Sequence, residues 1–195
     1  MGRIWELLDM SGRAVLITGG AGRVGQTAAE TFSELGADVA VLDLHRDQCV
    51  AVCDRLSTEF AGQVLPIACD LEDASQTSSS VEAALRAFGR LDVLVNCAAF
   101  VGSSDLSGWT GDLSEQTADT FSRALAVNVT APFVLSRAAA RALGEGPCGR
   151  IHNQPVVDLR PGGPRHAALR RSAHGQPCWV RRQQGWHPSR RDWVT

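Results

Sequence analysis

Eight consecutive residues, Thr18-Gly19-Gly20-Ala21-Gly22-Arg23-Val24-Gly25, have the composition of a phosphate-binding turn. Glycines let a backbone turn tightly and approach a pyrophosphate with no Cβ in the way. The amino end of a following helix offers N–H groups and a positive dipole end to the anion. An apolar run precedes these residues and a helical pattern follows them, as that chemistry requires. Asp43 closes the next apolar run, 18 residues after Gly25. A carboxylate there can accept both ribose hydroxyls of an adenosine and repels a 2′-phosphate, which favours NAD over NADP. Arg23 and Arg46 soften that preference. The competing readings are a purely structural turn and a solvated strand-end acid.

Further along stand Asp70-Leu71, Asn96 with Ala98, and Asn128. Each has a plain structural alternative. Asp70 can cap the helix that follows it, Asn96 can bridge two strands, and Asn128 can satisfy a helix break. Six cysteines are scattered without a C-x-x-C pair. Cys49 and Cys53 lie four apart on a helical stretch, but no second pair or His cluster completes a metal site, so they read as buried free thiols and no metal is expected.

The elements that must hold these residues follow from the alternation of short apolar runs with amphipathic stretches, the signature of βαβ units on a parallel sheet. Residues 13–18, 38–43, 64–69 and 91–96 read as strands. Val24–Leu35 and Gln48–Phe60 read as helices, the first with Val24, Ala28, Ala29, Phe32 and Leu35 on its buried face and Gly36 as its stop. Val81, Ala84, Leu85 and Phe88 mark a third helix. Thr117–Leu143 reads as helical with a break near Asn128–Pro132, and Gly149-Arg150-Ile151 opens a fifth strand. The expected fold is α/β, a Rossmann-like doubly wound parallel sheet of about five strands over residues 10–151, incomplete at its last edge.

At this point the residues resemble a known family. Thr18–Gly25 is similar to the T-G-x-x-x-G-x-G loop of short-chain dehydrogenases/reductases, with Arg23 in the middle glycine slot; it also fits the T-G-x-x-G-x-x-G spacing of the family's extended branch. Cys69-Asp70-Leu71 resembles the stretch that contacts adenine, and Asn96-Cys97-Ala98-Ala99 matches the family's N-N-A-G at two positions. Val127-Asn128-Val129-Thr130 looks like the motif whose Asn joins the catalytic tetrad. The resemblance implies a nicotinamide dinucleotide, held by Gly19, Ala21, Gly22, Arg23, Val24, Gly25, Asp43, Asp70, Leu71, Asn96 and Ala98. It implies an alcohol or carbonyl substrate, with Asn128 in the proton-relay region, and, as usual in the family, a homo-oligomer, much of whose interface this chain is expected to lack. It also implies a Tyr acid/base with a Lys four residues later and a Ser upstream. A tyrosine titrates near ~10 and needs that cation to act at neutral pH. This sequence contains no Tyr and no Lys.

The composition breaks at about Ile151. Up to Arg150 there are 11 Arg against 19 Asp and Glu; from Ile151 on there are 8 Arg against 2 acids, with three of the five Trp and four of the five His. The expected catalytic half reappears if the codons are read one nucleotide later. Those of His152–Arg160 then permit Ile-Ile-Asn-x-Ser-Ser-Ile-Tyr-Gly. Those of Gln176–His187 permit Asn-Pro-Ala-Gly-Tyr-Ala-Ala-Ser-Lys-Gly-Gly-Ile, with Tyr and Lys at the family's spacing. Two motifs restored in order by one shift predict a frame change near Ile151 or His152. The tail, residues 152–195, is then expected to be irregular. The rival reading is a basic tail that binds nucleic acid through Arg and Trp.

With 44% hydrophobic and 21% charged residues and a net charge of −2, the chain has a globular composition. No apolar run is long enough to span a membrane and no signal-peptide core precedes Met10, so a cytoplasmic location is expected. Three functions follow: an oxidoreductase by descent without turnover in this chain, a non-catalytic dinucleotide-binding remnant, or a tail-mediated nucleic-acid binder.

Overall fold

The computed structural model describes residues 8–101, 108–109 and 112–145, all within one compact unit. The fifth strand expected from Gly149, the serine motif and the basic tail lie outside the described residues, as do Cys148 and Cys178.

Four strands form one parallel sheet in the order β3-β2-β1-β4: β1 Ala14–Thr18, β2 Asp38–Asp43, β3 Val64–Ala68 and β4 Val93–Asn96. Residues 15, 17, 39, 41 and 93 share one side with Ala29 of helix α1 (Arg23–Glu34) and with Cys49, Val52, Cys53 and Leu56 of α2 (Arg46–Glu59). The alternate residues Leu16, Ala40, Leu42, Ile67 and Leu94 share the other with Val81 and Ala84 of α3 (Ala74–Phe88) and with Leu135 and Ala139 of α5 (Ala131–Glu145). Side chains alternate across a strand, so a strand apolar on both sides must be covered twice. The uniformly buried Ala14–Thr18 is such a strand.

All four strands are parallel, so their carboxyl ends meet at one edge, with Thr18 level with Leu42 and Asn96, and Asp43 level with Ala68. The chain leaves β1 toward β2 and returns to β1's other side as β4. Sheets of this kind leave a crevice outside the strand ends where the order reverses.

Two local expectations are corrected. Val24 is 56% exposed, and the buried stripe of α1 is Gly25, Ala29 and Ser33. Small residues there let the helix lie directly on the turn that precedes it, a fit that hydrophobic periodicity does not encode. The break near Asn128–Pro132 is instead a wide π turn, Ala126–Thr130, joining α4 (Ala118–Leu125) to α5, in which the Ala131 N–H donates to the carbonyl of Ala126. Pro132 has no N–H to give the Asn128 carbonyl four residues back, and the helix widens rather than stops.

Other boundaries match to within two residues. Gly36, at φ 89°, ends α1 as expected, its N–H donating to Ser33 and that of Ala37 to Phe32.

Candidate functional site

The turn after β1 is built so that only glycine fits at its ends. Gly19 has φ 63°, and a Cβ on it would lie 2.7 Å from both N and Cα of Ala98 in the loop after β4. A Cβ on Gly25 would collide with the Gly19 carbonyl. Gly22, by contrast, is exposed, has ordinary dihedrals, and meets nothing nearer than the Gly19 oxygen at 3.2 Å. Gly19 and Gly25 therefore serve packing, while Gly22 keeps open the surface beside the amino end of α1.

That end has Gly22 as its N-cap, with no side-chain cap and no acid in its first turn. Arg23 and Val24, its first two residues, are exposed. An arginine at the positive end of a helix is electrostatically misplaced on its own account. It is well placed if an anion sits there.

The middle of the turn is fixed from both sides. The Ala21 N–H donates to Asp43 Oδ2 at 3.0 Å, and the Ala21 carbonyl accepts from Gln26 Nε2 at 2.6 Å. Gln26 in turn accepts from Arg55 of α2, which also pairs with Glu30. Asp43 Oδ1 accepts the N–H of Leu44 at 2.8 Å. Each oxygen of Asp43 thus spends one lone pair on backbone and keeps further acceptor capacity.

Along the same edge, Thr18 accepts the Cys97 N–H on its carbonyl at 3.1 Å and the Ala98 N–H on its hydroxyl at 3.2 Å. Asn96 is 3% exposed beside it. Asp70 and Leu71 are half-buried in the loop after β3, where Asp70 Oδ1 accepts the Glu72 N–H at 2.9 Å. Asp70 does not cap α3. Asp73 does, accepting from Ser75 and Gln76, so the capping alternative passes to a residue three positions on.

Asn128 lies within the π turn and reaches back to the loop after β4. Its Oδ1 accepts the Phe100 N–H at 2.7 Å, and its Nδ2 donates to the Phe100 carbonyl at 3.2 Å. Its side chain therefore positions that loop.

The glycine turn, Asp43, Asp70, Asn96 and Ala98 thus stand on one edge, and Asn128 supports it. Composition gave no sign of Gln26, Arg55, Glu72 or Arg123. Their partners are backbone groups or lie 25 to 51 residues away, beyond any local spacing rule. A Gln on the first turn of a helix after a glycine turn is the one hint the sequence offered.

Cys49, Cys53 and Cys69 are buried and Cys97 is partly so, all free. Burial pushes the Cys53 thiol up to about 12 and that of Cys69 to about 11, and it raises Cys49 and Cys97 as well. None is a thiolate at neutral pH, which removes these four as nucleophiles. Among the described residues, no group of three or more His, Cys, Asp and Glu is placed to hold a metal, and no helix is long and apolar enough to cross a membrane.

A family model described as short chain dehydrogenase matches residues 13–155. A short chain dehydrogenase/reductase of Macrophomina phaseolina is 32% identical over 142 residues, 73% of this chain and 78% of that protein. A short chain dehydrogenase of Burkholderia cenocepacia, solved with NADP, superposes with a TM-score of 0.65 at 33% identity, over 74% of this chain and 55% of the other. An NAD⁺-bound xylitol dehydrogenase gives 0.61 at 25% identity, over 69% and 49%. The chain spans about half the length of most curated relatives it matches.

Proposed function

The chain belongs to the short-chain dehydrogenase/reductase family, and from that premise we propose that residues 10–151 form an NAD-binding domain that, in this chain, lacks the groups for hydride transfer. The observation that carries the binding reading is the tie from Asp43 to Ala21. It sets a carboxylate beside an open glycine turn at the carboxyl edge of a parallel sheet, where the strand order reverses.

The residues fit the dinucleotide. Gly22 keeps the approach to α1 open, and Arg23 together with the first-turn amides would hold the pyrophosphate. Asp43 would accept the adenosine ribose hydroxyls, Asp70 and Leu71 would flank the adenine, and Asn96 and Ala98 would line the path toward the nicotinamide, with Asn128 fixing the loop beyond them. When bound, NAD supplies a hydride acceptor for an alcohol carbon, and its reduced form a donor to a carbonyl carbon.

NAD is favoured over NADP because a fixed carboxylate at Asp43 repels a 2′-phosphate. Arg23 and Arg46 reduce that repulsion without cancelling it. Both dinucleotides are found bound to proteins of this fold, one neighbour having been solved with NADP and another with NAD⁺.

Turnover needs an acid/base that moves the substrate hydroxyl proton, and this sequence has neither Tyr nor Lys. Asn128 alone remains of the family's relay, in a positioning role. A frame change near Ile151 or His152 accounts for the absence of Tyr and Lys, and the family match ending at residue 155 supports that placement. The test is the absorbance of reduced nicotinamide with NAD and a panel of secondary alcohols. The chain as given is expected to produce none, and a chain with the frame restored is expected to produce it; a signal from the former overturns the proposal.

A further inference from the structure

We propose that Arg123 is a positioning residue that locks the loops after β3 and β4 into one unit, and so fixes both ends of the dinucleotide cleft at once. This rests on the binding reading above, since those loops carry Asp70-Leu71 and Asn96-Ala98.

Arg123 stands on α4 and faces both loops. Its Nε lies 3.0 and 3.2 Å from the two carboxylate oxygens of Glu72, and its Nη2 donates to one of them at 2.9 Å. The same guanidinium lies over the Phe100 ring, 5.3 Å from its centroid. Glu72 follows Asp70 by two residues and gives it its N–H. Phe100 follows Ala98 by two, has its backbone held on both sides by Asn128, and meets the Trp109 ring edge-on at 5.1 Å. One planar cation thus closes a chain from Asp70 through Glu72 and Phe100 to Asn128. A guanidinium can bind a carboxylate through its edge while its face covers a ring; an ammonium cannot do both in this geometry.

The Arg123 and Glu72 side chains are 42% and 30% exposed. Ion pairs so open to water add little to global stability. What the contact changes is local: each loop, once released, opens independently, and a ligand that needs both must order them itself. Loss of Arg123 is therefore expected to show in loop opening and ligand affinity, and hardly at all in the melting temperature.

The experiment compares the full chain with Arg123→Met and with Glu72→Gln, each alone and combined. It follows amide hydrogen exchange at Cys69–Glu72 and Ala98–Phe100, the NAD dissociation constant and Tm. Expected are faster exchange in both stretches in Arg123→Met, NAD affinity down by roughly fivefold or more, an unchanged Tm, and a double variant no worse than Arg123→Met. Exchange rising in one loop only, or in neither, overturns the proposal. So does a general rise in exchange with a fall in Tm, the mark of a merely structural residue. If the unmodified chain binds no NAD, the binding reading fails, while exchange in the two loops still decides whether Arg123 couples them.

Discussion

Asp43 Oδ2 and the Ala21 N–H, 3.0 Å apart, join the last residue of β2 to the middle of the turn after β1. Gln26 holds the other side of the same residue through the Ala21 carbonyl. The turn is therefore set before any ligand arrives, and the carboxylate that sets it is the group we propose to choose between dinucleotides. Preorganisation of this kind removes an ordering cost from binding.

Asp43→Asn removes the charge and keeps one acceptor oxygen. The ratio of NADP to NAD affinity is expected to rise about tenfold or more, because a repulsion between like charges at close range is lost. Competition titrations with both dinucleotides check this. An unchanged ratio assigns the choice to other residues.

Gly25→Ala and Gly22→Ala separate packing from access. At Gly25 the new methyl meets the Gly19 carbonyl and α1 must move, at a cost of about 1–3 kcal/mol. At Gly22 the dihedrals suit any residue, but the new methyl presses on the Gly19 oxygen at 3.2 Å and alanine is a poorer N-cap than glycine, so a smaller loss, about 1 kcal/mol or less, is expected. Urea denaturation of the two variants gives the comparison; equal losses contradict this division of roles.

Asn128→Ala leaves the Phe100 N–H and carbonyl without the side chain that pairs them. Stability is expected to fall by about 1–3 kcal/mol, with faster amide exchange at Phe100 in particular. Asn128→Asp restores one half of the pairing, since a carboxylate accepts the N–H but cannot donate to the carbonyl. It is therefore expected to fall between the parent and the alanine variant.

Asp92, at the entry to β4, gives the pH dependence its sign. Burial pushes its carboxyl up, but hydrogen bonds from Arg90 and the Ala14 N–H, with the charges of Arg90 and Arg13, outweigh burial and hold it below its ordinary value. A carboxylate depressed in the folded state stabilises fully above its unfolded value, ~3.9, and that contribution is lost as pH falls through the folded value. Asp92→Asn is thus expected to destabilise at neutral pH and to flatten the acid limb below about pH 4. Thermal melts from neutral pH downward measure both effects, and parallel acid limbs in parent and variant contradict the assignment.

The middle of the sheet was legible because β1 and β2 are buried on both faces and read as unbroken apolar runs, so both fall where those runs put them. The glycine turn was legible because close backbone approach admits one residue type, and Gly19 against Ala98 shows the reason. Val24 was misplaced because an apolar residue at a helix start looks like core to any periodic rule; here small Gly25 takes that place and Val24 faces outward. Apart from the one hint at Gln26, the ties from Gln26, Arg55, Glu72 and Arg123 were not legible. They join side chains to backbone or cross the sheet edge between distant segments, and nothing in local spacing announces such partners.

The central claim is that this chain keeps a dinucleotide cradle fixed by Asp43. It is tested most directly by calorimetric titration of the chain with NAD beside its Asp43→Ala variant. Saturable one-site binding is expected, with affinity about 10- to 100-fold weaker in the variant, the loss typical of a charged hydrogen-bond partner. No binding by the unmodified chain, or equal affinity in the two, would contradict it.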